Sequence, residues 1–460
     1  MTSNLSRVAR LTNRLGTLTL ITASAACSIF DTEVKNPNAV EEGALNDPAS
    51  ATILSNGLNS AVTRAFTSVY GPYSVASDEL TWVGSREYWG LLDGGDLSDP
   101  VNEYTNAAYP YMSEVRWLSA YTVEKLERFD TEGSLRNRLD LARTYLSAGI
   151  VFLTIADFYD DFVIGSDRIT PAAPIGEADM VSLYDSAANY FTKANTIATA
   201  LANADLRMQS LGLRARTKYS KAVWKTLKPA RATPTNPLIN DAEANADANA
   251  ALALMSASFR YRLTPTNANT GANNFASEMN SRQEIRAGGD YINPDPARNN
   301  QTPLAGLPGI KLKDPVTNLA DPVIAKAIDE CCRVASGLQV GVTVTSAKEM
   351  HLILAEAALA ANNLAEMRTR INNVRTVETL PAWDGVTPAP LAMLIHSRRV
   401  NLFLQGRRLH DLYRFGIKAD RWLPTSIASR KACFFPIAFI ERQSNVLAPQ
   451  PAIERPPNCT

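Results

Sequence analysis

Histidine and cysteine are scarce in this chain. Its 460 residues include three histidines, His351, His396 and His410, and none stands in an H-E-x-x-H arrangement. The five cysteines form no C-x-x-C pair, and neither a G-x-S-x-G elbow nor a G-x-x-x-x-G-K-[ST] phosphate loop occurs. These absences remove the common zinc, thiol-redox, serine-nucleophile and nucleotide-dependent chemistries, so no catalytic residue, cofactor or metal is assigned. A surplus of one charge is missing as well, since 46 basic residues face 46 acidic ones. Such a balance argues against nucleic acid as a partner, and against a membrane held by surface charge.

Long apolar runs are equally few. Leu15 to Ala26 follows Arg7, Arg10 and Arg14, and is too short for a membrane span but right for the core of an export signal. It runs into Ser24-Ala25-Ala26-Cys27, small residues before a cysteine. The expectation is a signal peptide over residues 1–26 and lipid attachment to Cys27, with plain secretion after Ala23-Ser24-Ala25 as the alternative. No second run approaches spanning length, so the remaining chain reads as soluble. In an oxidising compartment Cys331, Cys332, Cys433 and Cys459 allow three pairings. Adjacent cysteines could join only through a strained ring, so bridges from Cys331 and Cys332 to Cys433 and Cys459 are expected.

Helical pattern and aromatic rings are plentiful by contrast. Residues 27–46 read as a polar leader. Asp47 and Pro48 then open a core-facing helix through Ile53, Leu54, Leu58 and Val62. Leu141 to Phe162, Ser182 to Leu201 and Leu213 to Leu227 read as helices joined by short polar loops, with alanines where neighbours approach. Ser346 to Arg375 reads as a helical hairpin turning at Asn362-Asn363. The fold class is therefore mainly α, built of tetratricopeptide-like hairpins. Residues 47–260 form a helical-repeat region with an aromatic loop, and 261–460 a loop-rich helical part of the same compact fold.

Between Tyr70 and Trp117 the pattern changes. Tyr70, Tyr73, Trp82, Tyr88, Trp89, Tyr104, Tyr109, Tyr111 and Trp117 crowd a segment broken by Gly90, Gly94, Gly95 and Pro100, and no period sorts them onto one face. An irregular segment with half-exposed rings is expected. As a group these aromatics are the ligand candidates, led by Trp82, Tyr88 and Trp89, with Tyr291 a fourth from the long loop Arg286 to Pro322. Asp93, Asp96 and Asp99 lack the D-x-[DN]-x-[DN]-G spacing of a calcium loop and read as solvated.

The densest arginine group lies in Ser397 to Gly416, whose only acid is Asp411. Arg408, Asp411 and Arg414, at i, i+3 and i+6, predict a guanidinium–carboxylate–guanidinium ladder on one amphipathic helix ended by Gly416. Its expected role is structural, with arginines that tie neighbouring elements together.

The same stretch resembles a known signature. Arg398, Arg399, Leu402, Phe403, Gly406, Arg408, Asp411, Leu412, Arg414, Phe415 and Gly416 are similar to the C-terminal pattern of the SusD/RagB family, surface lipoproteins that bind nutrients for an outer-membrane transporter. Ser397, Asn401 and Gln405 stand where that pattern has acids. Asn36-Pro37-Asn38, Ser77-Asp78-Glu79, Leu354-Ala355-Glu356-Ala357 and Ile371-Asn372-Asn373-Val374-Arg375 are further likenesses. Phe158 to Ile164 resembles the family's Tyr-Gly-x-Val-Pro turn, and Phe434-Phe435-Pro436-Ile437 with Glu441 and Asn445 resembles its terminal motif. The resemblance implies an α-α superhelix anchored by lipid at the outer-membrane surface. It also implies an oligosaccharide or peptide ligand, and a SusC-like TonB-dependent transporter as partner. Two rival readings are a helical-repeat scaffold that binds a protein, and a secreted glycosidase with a facing carboxylate pair.

Overall fold

Asparagine, aspartate and serine side chains start most of the long helices. The computed structural model describes residues 42–460 except 168, 229, 268–270 and 305. The export signal, Cys27 and most of the leader lie outside the described residues. The first helices are α1 (Ala51–Ala76), α2 (Glu87–Asp93), α3 (Glu103–Thr131) and α4 (Arg138–Phe158). They continue with α5 (Val181–Ala200), α6 (Ala204–Leu227) and α7 (Ala242–Leu252). Asn102 caps α3 by accepting from the Tyr104 N–H at 3.1 Å, and Asn137, Asn203 and Asp241 do the same for α4, α6 and α7. Each cap satisfies an N–H that the helix itself leaves open.

Consecutive helices pack on one another, α4 on α5, α5 on α6 and α6 on α7, while α1 lies against α3 and α4. Later helices are α8 (Pro322–Cys331), α9 (Ala347–Ala360), α10 (Leu364–Val377), α11 (Pro390–Asn401), α12 (Arg408–Arg414) and α13 (Phe439–Ser444). The hairpin of α9 and α10 buries Leu352, Ala355, Met367, Ile371 and Val374 with Trp383 and Met393 in one cluster. Two small antiparallel ribbons complete the fold. Strand β1 (Leu80–Trp82) pairs with β3 (Ile285–Ala287), and β2 (Arg260–Leu263) with β4 (Val342–Ser346). The expected mainly helical class is observed. Residues 48–460 form one unit; the described residues 42–47 belong to another and hold a short 3-10 turn, Glu42–Asn46.

Four expectations are corrected. The aromatic segment is helical at both ends, because α1 carries Tyr70 and Tyr73, and α3 carries Tyr104 to Trp117. The last half of α1 is buried all round, so it has no polar face from which a period could be read. The arginine stretch is two helices, not one, broken where Leu404 and Gly406 take positive φ of 53° and 71°. A side chain at Gly406 would meet the Phe158 ring and the Tyr70 hydroxyl at 2.8 Å. Helix α4, with 21 residues, is long and apolar enough to cross a membrane, yet it is largely buried as a core helix. Finally, the cysteines pair as Cys331–Cys332 and Cys433–Cys459. Cys331 ends α8, where Asn280 holds its carbonyl at 2.9 Å, whereas Cys433 runs beside Asp160 and meets the C-terminal tail.

Candidate functional site

The four aromatic candidates do not form one surface. Asp93, at the end of α2, accepts from the Thr81 hydroxyl at 2.7 Å and the Trp82 N–H at 3.0 Å, which locks β1 to α2. Burial pushes the Asp93 pKa up to about 6 against those two hydrogen bonds, so this acid is not solvated. Half-buried Trp82 lies over Gly90, where a side chain would come within 2.8 Å of its ring. Tyr88, also half-buried, stands two residues earlier, about 200° around the helix. The two rings therefore flank α2. Trp89 is a correction: only 2% exposed, it stacks on Tyr104 with centroids 3.7 Å apart. Tyr291 is another, fully buried beneath the Arg399 guanidinium at 4.4 Å, its hydroxyl donating to Asp78 at 3.3 Å. Both rings are covered on their faces by partners that stabilise them there. Asp96 pairs with Arg455 at 2.8 Å, and Asp99 accepts from the Val101 N–H at 3.0 Å.

The arginines of the C-terminal stretch are distributed through the core. Arg408 reaches Asp78 with two bonds of 3.0 and 2.9 Å and leaves Asp411 to Arg414 at 2.9 Å and Arg398 at 2.8 Å. Arg414 continues to Glu356 at 3.0 Å and the Tyr219 hydroxyl at 2.8 Å, and Arg407 binds Glu349 at 2.7 Å. Burial raises the Asp411 pKa, but Arg398 and Arg414 outweigh it and hold the group at about 2. The turn at 404–406 aims Arg408 at the end of α1 instead of along its own helix. These guanidiniums are buried and face protein carboxylates, which leaves them no side for a ligand.

A groove of about 450 Å³ opens elsewhere, along α3. Its floor is Tyr109, Ser113, Arg116 and Trp117, at i, i+4, i+7 and i+8 and hence on one helical face. One wall is formed by Val163, Gly165, Asp167 and the run from Ile169 to Ala172, the other by Ile440, Glu441, Ser444 and Asn445 on and after α13. The walls are pinned by hydrogen bonds: the Val163 N–H to the Tyr109 hydroxyl at 3.3 Å, the Asn445 amide to the Ala172 carbonyl at 2.8 Å, and the Ile440 N–H to Asn106 at 2.8 Å. Trp117 is half-buried and stacks on Tyr121, with centroids 5.0 Å apart and the ring planes 28° from parallel. Arg116 is 7% exposed and its Nε has no hydrogen-bond partner; burial lowers its pKa. A cleft of this size, which mixes aromatic and aliphatic surface with the charged groups of Glu114, Arg116, Asp167 and Glu441, suits a small polar organic ligand. Tyr109 and Trp117 belong to the aromatic group singled out in the sequence, but Arg116 was missed. Reading α3 as a helix would have put all three on one face.

Neither a protein-family model nor a curated protein matches the chain. Solved structures do. A SusD superfamily protein from Bacteroides fragilis aligns at TM-score 0.55 and 12% identity, over 88% of this chain and 99% of its own. One from Bacteroides thetaiotaomicron aligns at 0.52 and 14%, over 87% and 97%. A laminarin binding SusD-like protein aligns at 0.51 and 14%, over 87% and 98%. At that identity the likeness establishes the fold, and the chain has the SusD-like fold.

Proposed function

We propose that the protein is a glycan-binding lipoprotein of the outer-membrane surface, and that the groove along α3 holds the glycan for a TonB-dependent, SusC-like transporter. The supporting observation is the SusD-like fold over nearly the whole chain, shared with a protein that binds laminarin. The groove adds a half-buried tryptophan ring, and rings of that kind stack on the C–H faces of sugars. The sequence supplies the anchor, Cys27 after a short apolar core.

A second reading keeps the ligand at α2, because Trp82 and Tyr88 retain exposed ring area. Isothermal titration with laminarin oligosaccharides and other neutral glycans separates the two. Trp117→Ala is expected to weaken binding by about tenfold, equivalent to ~1.4 kcal/mol, with Trp82→Ala near wild type. The reverse pattern moves the site to α2. Absence of glycan binding together with capture of peptides would replace the ligand class.

A further inference from the structure

Arg116 is the exceptional residue of the groove. It emerges from the middle of α3 with its residue surface 7% exposed, and no carboxylate lies within ion-pair distance of it among the described residues. Other deeply buried arginines of the fold, Arg216, Arg398, Arg408 and Arg414, each meet an aspartate or glutamate at 2.9 Å or closer, and Arg442, which has no carboxylate partner among the described residues, donates to the Glu454 carbonyl instead. A buried guanidinium is stabilised by acceptors, and the open side of this one is the groove. Burial lowers its pKa, with Tyr109 and Glu441 acting in the opposite direction. Glu441, on the facing wall, is held by the Asn445 amide through one oxygen at 2.9 Å. Asp167, at the rim, accepts from the Ile169 N–H at 2.8 Å and the Thr170 N–H at 2.6 Å, which lower its pKa. Glu114 is already paired with Arg64 at 2.6 Å.

We infer that Arg116 anchors the ligand in this groove, and that the ligand is an uncharged sugar presenting adjacent hydroxyls. This deepens the glycan-binding reading and rests on it. A planar guanidinium offers parallel donors, and a carboxylate across the cleft offers acceptors. A pair of neighbouring hydroxyls satisfies both at once, accepting from Arg116 and donating to Glu441. The Trp117 ring then covers the apolar face of the same sugar. A uronic acid bound to Arg116 would bring its carboxylate up to Glu441, and like charges in a partly buried cleft repel. The Glu441 carboxylate is the specificity-determining group against acidic glycans.

The test is calorimetry on the full-length mature protein, with cellohexaose and maltohexaose, whose 1,4-linked units keep adjacent 2- and 3-hydroxyls, against oligogalacturonate of the same length. The wild type is expected to bind a neutral member at least about tenfold more tightly than the uronate. Arg116→Gln should lose about tenfold or more for the neutral glycan. Its melting temperature should equal or exceed the wild-type value, because no ion pair is removed. Arg116→Lys, which keeps the charge without the planar donors, should also bind weakly. Glu441→Gln retains the acceptor for Asn445 and should narrow the gap between neutral and acidic ligands. Tighter uronate binding by the wild type overturns the inference. So does neutral binding untouched by both Arg116 variants, which leaves the glycan reading intact and moves the site. A lowered melting temperature in Arg116→Gln with unchanged affinity assigns the arginine to the core. If no glycan binds the wild type, the inference and the functional reading fall together.

Discussion

Glu79 is buried one residue after the Asp78 that holds Arg408. One of its oxygens accepts from the Leu404 N–H at 2.8 Å, and the other has no hydrogen-bond partner. Burial, only partly offset by that N–H, pushes its pKa up to about 8. The unfolded chain gives up this proton near the ordinary carboxylate value, while the folded protein keeps it to about pH 8. The stabilising contribution is therefore full in acid and is lost as pH rises from about 5 to about 8, by at most about 1.4 kcal/mol per pH unit. Urea midpoints of the wild type should fall across that window more steeply than those of Glu79→Gln; parallel slopes would mean that Glu79 is ionised in the fold. Single residues were also where sequence reading was weakest. The pattern at Arg408, Asp411 and Arg414 predicted a ladder along one helix; Asp411 does bind Arg414, but Arg408 turns away to Asp78. The acids at 78, 349 and 356 that complete the buried charge cluster are brought in by tertiary structure, and no local spacing encodes them. Trp89 and Trp82 look equivalent in sequence, but the turn of α2 buries one and leaves the other half open.

At the scale of elements, Gly149 sets the approach of α4 to α5. A methyl group there would lie 2.5 Å from the Phe191 ring. Two effects of Gly149→Ala oppose each other. Helix propensity favours alanine by about 1 kcal/mol, whereas overpacking a fixed interface costs about 1–3 kcal/mol. With the ring itself fully buried, packing wins, and chemical denaturation should show a net loss of about 1 kcal/mol or more. A gain would show that Phe191 can move aside. Helices with one polar face, such as α5 and the α9–α10 hairpin, were legible from spacing to within a few residues. Those without such a face were not: α1 beyond Arg64 is buried on every side, its Thr67, Ser68 and Ser74 included, and α3 carries Pro110 inside it, so both were read as irregular. The groove was hidden for that reason, since its floor is a face of α3. The two likenesses that seemed unconnected, Phe158 to Ile164 and Phe434 to Asn445, meet at its walls.

For the whole molecule, the proposed location rests on Cys27, and Cys27→Ala should move the protein from the membrane pellet to the soluble fraction. Retention in the pellet would require another anchor. The body itself is closed by contacts between distant segments. Asp78 and Arg408 are 330 residues apart, and Asp160 accepts from the Phe434 N–H across 274. A growing chain that has not reached residue 398 carries Asp78, Glu349 and Glu356 at core positions with no cation to meet them, and an unpaired buried charge is strongly destabilising. The early helices keep ion pairs of their own, such as Arg216 with Asp157 at 2.9 Å, but the cations that meet these three acids come from residues 398–414. Versions truncated before α12 should therefore accumulate as unfolded material, and a cooperatively melting fragment would show that the early helices fold without these arginines.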